Sequence, residues 1–159
     1  MKLNGITESA ALLWLEKLMA FCQTDGRACY GCYSPEVLRD YLTFHIQQET
    51  LAWVRNGAAE ISGCGIAWQC HAEDVIRAAV EGRSLFDWQA NDPFGNAIFI
   101  ADVVAVNREA SLALLQRFAR RFPTWREMHL YTFRRGKLVR LDARAVIRFF
   151  QQQNFNQKA

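Results

Sequence analysis

Leu12, Leu15, Leu18, Met19 and Cys22 recur at the spacing of one helical face, with Glu16 and Lys17 on the opposite face, so Thr7 to Cys22 is predicted as a helix. The segment "TDGRACYGC" breaks it. Ser34-Pro35 then supplies an N-cap with proline in the first turn. Val37, Leu38, Tyr41, Leu42 and His45 carry a second helix to about Gln48. In "TLAWVRNGAAEISGCGIAW" two strand-like runs flank Asn56-Gly57, which predicts a hairpin with a two-residue turn. Gly63 and Gly65 in its second strand point to a bulge or to close approach of another backbone or a ligand.

Residues 72–81 form a short helical pattern ended by Gly82. "NAIFIADVVAV", residues 96–106, is β-branched and apolar on both faces, as a central strand covered on both sides should be. A helix from about Arg108 to Arg121 turns Leu112, Leu115, Phe118 and Phe122 inward, and Pro123 ends it. "EMHLYTF" reads as a strand, "RRGK" as a turn, "LVRL" as a last short strand, and a helix runs from Asp142 through Val146, Phe149 and Phe150. The order α-α-β-β-α-β-α-β-β-α describes a mixed-sheet α/β protein of three layers, in one domain spanning residues 1–159.

Composition adds little to this. Half-apolar, 22% charged, the chain is globular, and no apolar run approaches the ~20 residues that span a bilayer. One lysine in the first five residues, and an apolar stretch broken by Glu16 and Lys17, do not make a signal peptide, so a cytoplasmic location is expected. Charge is more telling. Residues 1–106 hold 7 Lys/Arg against 13 Asp/Glu, a balance of −6, whereas residues 107–159 hold 12 against 3, a balance of +9. A basic half spread over helix and strand suits an anionic partner: a phosphorylated cofactor, an acidic protein or nucleic acid. A solvated face balanced by the acidic half is the alternative.

Asp102 is the one polar side chain in ten residues of apolar strand, and an unpaired buried carboxylate is costly. Such a group is functional, or it caps a loop or pairs with an arginine. The cysteines, Cys22, Cys29, Cys32, Cys64 and Cys70, are odd in number and sparse for a disulfide framework. Cys22, Cys29 and Cys32 with His45 or His71 make a weak zinc signal, lacking two close-spaced ligand pairs, so no metal is expected. A redox C-x-x-C opens a helix directly after a strand, and Cys29-x-x-Cys32 does not. Thiols packed under a loop are the default.

The order of elements resembles the GNAT acyltransferase fold. At sequence level the chain is most similar to the toxin-activating lysine acyltransferases of RTX toxin systems. The residues concerned are "LAWV" followed by "GIAW", Asp87-Trp88 after the short helix, "FIADVVAV", "RRFP" and "RRGK". The resemblance implies transfer of an acyl group from acyl-CoA or acyl carrier protein to an amine acceptor, a small molecule or a protein lysine. It implies Asp102 as a catalytic residue, with Val104, Val106, Arg108 and Ser111 toward the donor. Two departures stand out. The histidine of the family falls near Tyr30, in "ACYGCYSP", where tyrosine can act as an acid but not as a histidine does near neutral pH. "VNREASLALL" lacks the glycines that hold a pyrophosphate in ordinary GNAT enzymes, although Arg108 remains for donor phosphate. An acidic donor such as acyl carrier protein would suit the basic half. A catalytically silent GNAT-fold binding protein is the second reading. A nucleic-acid binder stacking bases on Trp125, Tyr131 and Phe133 is the third, though nucleic acid is not the expected partner.

Overall fold

A computed structural model describes residues 7–82 and 91–152. Asp87 and Trp88, two of the residues carrying the resemblance, lie outside the described residues. The elements run α1 (Glu8–Leu12), α2 (Leu15–Gln23), α3 (Arg27–Tyr30), α4 (Pro35–Gln47), β1 (Leu51–Arg55), β2 (Ile61–Cys70) and α5 (Ala72–Glu81). They continue with β3 (Ala97–Ala105), α6 (Arg108–Arg121), a 3-10 turn (Trp125–Glu127), β4 (His129–Arg134), β5 (Lys137–Leu141) and α7 (Ala143–Gln151). One mixed sheet has the order β1-β2-β3-β4-β5, antiparallel throughout except for the parallel pair β3–β4. Helices cover both faces, which gives the expected three-layer α/β architecture with a mostly antiparallel sheet.

The start of α4 and the end of α5 have the causes expected of them. Ser34 Oγ accepts from Val37 N–H, and Pro35 opens α4. Gly82 ends α5 in the left-handed region at φ 65°. Asn107 and Asp142 cap α6 and α7 by accepting from Ala110 and Ala145 N–H.

Two expectations need correction. The helix predicted over Thr7–Cys22 is two helices. Trp14 N–H bonds back to Ala11 O, three residues earlier, which tightens the chain at Leu13–Trp14 and swings Leu13 into solvent, 82% exposed. The Asn56-Gly57 turn is a longer loop: Arg55 pairs with Ile61, and Asn56 N–H donates to Glu60 O at 2.8 Å. Asn56 acts through its side chain, whose Oδ1 accepts from the N–H groups of Ala58 and Glu60, and the positive φ falls on Ala59 instead. The two-residue turn of this protein is at Arg135-Gly136, φ 51° and 74°, between β4 and β5.

Gly63 and Gly65 serve close approach. A Cβ on Gly65 would stand 3.0 Å from Asp102 O and 3.1 Å from the Phe118 ring, and one on Gly63 would stand 3.1 Å from Leu114 Cδ1. Their missing side chains let α6 lie directly on β2. A bulge does lie beside Gly63, where Val54 faces Gly63 but Arg55 faces Ile61, leaving Ser62 of β2 as the extra residue. A second is in β3, where Ile66 faces Asp102 but Ala67 faces Ile100, leaving Ala101 as the extra residue. That residue reverses the alternation. Ala97 and Phe99 pack with the α1–α5 layer while Ile98 and Ile100 pack with α6 and α7, so an unbulged Asp102 would face α6. The bulge turns it to the other layer.

β3 is an interior strand, as expected, but only in its first half. β4 pairs with residues 97–100 alone. Beyond Ile100 the two strands part, and the burial of β3 falls from buried to half-buried. Val106 N–H points to Ser62 O of the β2 side. By alternation the peptide groups of Val103 and Ala105 point to the edge that β4 has left.

Candidate functional site

Asp102 sits just after the bulge, half-buried, beneath α3 and α4. Tyr41 Oη donates to Asp102 Oδ2 at 2.5 Å, and Cys29 Sγ, from the opening of the 28–34 segment, donates to Oδ1 at 3.5 Å. Among the described residues no lysine, arginine or histidine pairs with it, so the arginine pairing considered for a structural aspartate is not the arrangement found. Burial raises the Asp102 pKa above its ordinary value, and the hydrogen bonds from Tyr41 and then Cys29 oppose that rise. Burial, followed by the Asp102 charge, pushes the Tyr41 hydroxyl and the Cys29 thiol far up and Tyr33 up to about 12. At neutral pH these neighbours are proton donors. The carboxylate is the group here that can take a proton.

The C-x-x-C divides at this site. Cys29 turns inward to Asp102, and Cys32 is exposed. Cys22 and Cys64 lie buried behind, Sγ to Sγ 4.0 Å, and all five cysteines are free thiols. Among the described residues no group of three or more His, Cys, Asp or Glu is arranged to hold a metal.

Tyr30 is buried at 1% exposure, its ring 6.4 Å from that of Tyr41 and 6.2 Å from that of Tyr33. Its hydroxyl makes no hydrogen bond of ordinary geometry, yet it lies close enough to Asp102 to oppose, after Tyr41 and Cys29, the rise of the carboxyl pKa. One turn after Tyr41, His45 meets the Tyr41 ring edge-on at 4.6 Å and stacks on Trp68 at 5.8 Å. Sequence spacing does not bring His45 near Tyr30; α4 does so through Tyr41. Thr50 Oγ1 lies 2.6 Å from His45 Nδ1 and 3.3 Å from the His45 carbonyl, while Nε2 has no partner among the described residues. Burial lowers the His45 pKa to about 3. His71 is elsewhere, with Nε2 2.9 Å from Asp92 Oδ2 on the surface.

The residues expected to face a donor are spread out. Val104 and Val106 are half-buried on the Asp102 side of β3. Arg108 is exposed at the start of α6. Ser111 is not presented to that end at all: it is fully buried, and its hydroxyl donates to Phe150 O at 2.5 Å, tying α6 to α7. Trp125 and Tyr131 are buried in the two cores, which removes them as stacking platforms for bases. Sequence reading missed Tyr41, whose helical spacing marks it as core. Its place opposite a strand aspartate is visible only in three dimensions.

No protein-family model matches the chain, and no curated protein does. Among the described residues no helix is long and apolar enough to cross a membrane.

Proposed function

We propose that the protein is an N-acyltransferase of GNAT-like fold, moving an acyl group from a thioester donor to an amine. One observation carries this reading: a carboxylate without a cation, held by Tyr41 and Cys29, stands beside a strand edge that β4 has left open. The donor's pantetheine arm would run along that edge, its amides meeting the peptide groups of Val103 and Ala105, with Val104 and Val106 against it. Asp102 takes a proton from the acceptor nitrogen as the N–C bond forms and the C–S bond breaks. The proton returns to the leaving thiolate through water or through Tyr30, whose hydroxyl lies near Asp102. A raised carboxylate pKa suits this role, because a base works best near the operating pH.

The start of α6 supports a protein-borne donor over free CoA. Asn107 already caps Ala110 N–H, Ser111 is turned inward, and Glu109 adds a negative charge beside Arg108. Acyl carrier protein, being acidic, suits the basic second half. A binding protein of the same fold that performs no transfer is the second reading, favoured by the absence of any histidine hydrogen-bonded to Asp102 among the described residues.

Native mass spectrometry after incubation with acetyl-CoA, long-chain acyl-CoA or acyl-loaded carrier protein tests this. Uptake of the carrier-borne chain, weak uptake of acetyl-CoA and transfer to a lysine peptide are expected. Asp102→Asn should abolish transfer without lowering the melting temperature, since it removes a carboxylate that burial disfavours. Binding without transfer selects the second reading. No uptake of any thioester overturns both.

A further inference from the structure

The β1 edge of the sheet carries a feature that acyl transfer does not use. Lys17 on α2 and Arg55 at the end of β1 both stand over the indole of Trp14, Nζ 4.6 Å and Cζ 4.9 Å from its ring centre. On the other face α6 packs across β1 and β2, its Leu114 against Gly63 and in one cluster with Val54 of β1. Arg117 and Arg120 follow on this stretch of α6. Burial and then the charges of Arg55 and Arg120 lower the Arg117 pKa, so Arg117 lies within electrostatic reach of both. Among the described residues none of these four cations has a carboxylate in ion-pair reach, and Glu16, beside Lys17 in the chain, is engaged by Arg39 at 2.6 Å. Like charges gathered this way repel, whereas ordinary surfaces intersperse the two signs.

The belt therefore calls for an anion, and its neighbours narrow the kind. Cations already occupy the Trp14 ring, which leaves it poorly open to a stacking base. Leu13, 82% exposed beside it, offers an apolar contact that a phosphate backbone does not use. Arginine and tryptophan around an exposed leucine are the composition of a protein-binding patch. We propose that Lys17, Arg55, Arg117 and Arg120, with Leu13 and Trp14, form a docking surface for an acidic segment of another protein. Its carboxylates would pair with the arginines, and one apolar side chain would rest on Leu13 and Trp14. β2 and β3 separate this edge from the β3–β4 opening. The surface is thus apart from the strand edge proposed for the pantetheine arm, although Arg117 and Arg120 belong to the basic half that suits an acidic carrier.

Fluorescence anisotropy with a labelled amphipathic peptide of Glu and Leu tests the surface, alongside a labelled oligo-dT and vesicles of phosphatidylcholine with phosphatidylglycerol. Saturable peptide binding that weakens as salt rises is expected. Arg55→Gln with Arg117→Gln should weaken it by about tenfold or more. Leu13→Ser should weaken it about threefold, and Arg144→Gln with Arg148→Gln, which removes the same charge from the exposed face of α7, by less than about twofold. No saturable binding, or equal losses in the two double variants, overturns the proposal. So does tighter binding of oligo-dT or vesicles through the same arginines, which would make the belt a nucleic-acid or membrane surface.

Discussion

The two faces of the sheet are built from different materials. Under α6 and α7 the core is aliphatic and aromatic, from Ala52, Val54 and Leu114 to Ile98, Ile100, Phe118, Leu130 and Phe150, the last five of which line a small apolar cavity of ≈ 30 Å³. Its buried hydroxyl, Ser111, has its partner in Phe150 O. Under α2, α3 and α4 the core is equally buried but chemically mixed, with Cys22, Cys64, Tyr30, Tyr41, His45 and Trp68 beside Asp102. Tyr30 Oη, His45 Nε2 and Trp68 Nε1 lie buried there without partners. Polar groups in a core lower stability unless paired: α6 on the first face buries one without a partner, Arg121 Nε, whereas three gather on the second, the face of the proposed site. The β3 bulge is the device that puts Asp102 on the second.

The separation breaks if damage to one face is felt at the other. Leu114→Ala, at a fully buried position over Gly63, should cost about 2–5 kcal/mol in chemical denaturation. The Asp102 pKa, read from the carboxyl carbon shift in NMR, should not move in that variant. A shift would mean that α6 sets the geometry of the bulge and that the two layers act as one.

His45 gives the mixed face a pH signature that the apolar face lacks. Its folded pKa, about 3, lies below the ordinary 6.5, so the neutral ring stabilises the fold fully above about 6.5. That stability is lost as pH falls from about 6.5 toward 3, at up to roughly 1.4 kcal/mol per pH unit. His45→Gln keeps an acceptor for the neighbourhood and cannot be protonated in this range. Its denaturation midpoint should be flatter than the wild type's between those pH values. Parallel curves would mean that His45 is not held neutral by burial.

How much of this was legible in the sequence follows the range of the interactions. α6 and the cap at Ser34 depend on neighbours within a few residues, and the sequence shows them. The β1–β2 loop misled because Asn56 acts there through its side chain rather than by adopting positive φ, two uses of one residue type that share a sequence pattern. The break at Leu13–Trp14 has no glycine or proline to announce it. Asp102 was conspicuous as a polar residue in an apolar strand, but its bulge depends on pairing with β2, which local pattern does not encode. Tyr41 was counted as core, correctly by burial at 4% exposure, and its hydroxyl became part of the site only because the bulge turned Asp102 toward α4. Ser111, which the resemblance set toward the donor, is turned inward by α7, a contact 39 residues away.

The smallest effect expected is at the centre of the site. Asp102 has a folded pKa above its ordinary 3.8, so its protonated form is favoured by the fold. The resulting stability is complete below 3.8 and is lost as pH rises through the folded value. The Tyr41 hydrogen bond limits that loss, because it favours the carboxylate. Tyr41→Phe keeps the ring against Tyr33 and His45 and removes the hydroxyl. The Asp102 pKa should therefore rise further in this variant. The stability difference from wild type should be small below pH 3.8 and grow to about 1–2 kcal/mol at neutral pH, the range for a hydrogen bond to a charged acceptor. Carboxyl NMR titration and denaturation at two pH values measure both quantities. A difference that is constant with pH would show that Tyr41 acts by packing alone, and a fall in the Asp102 pKa would mean that another group, not Tyr41, holds the carboxylate.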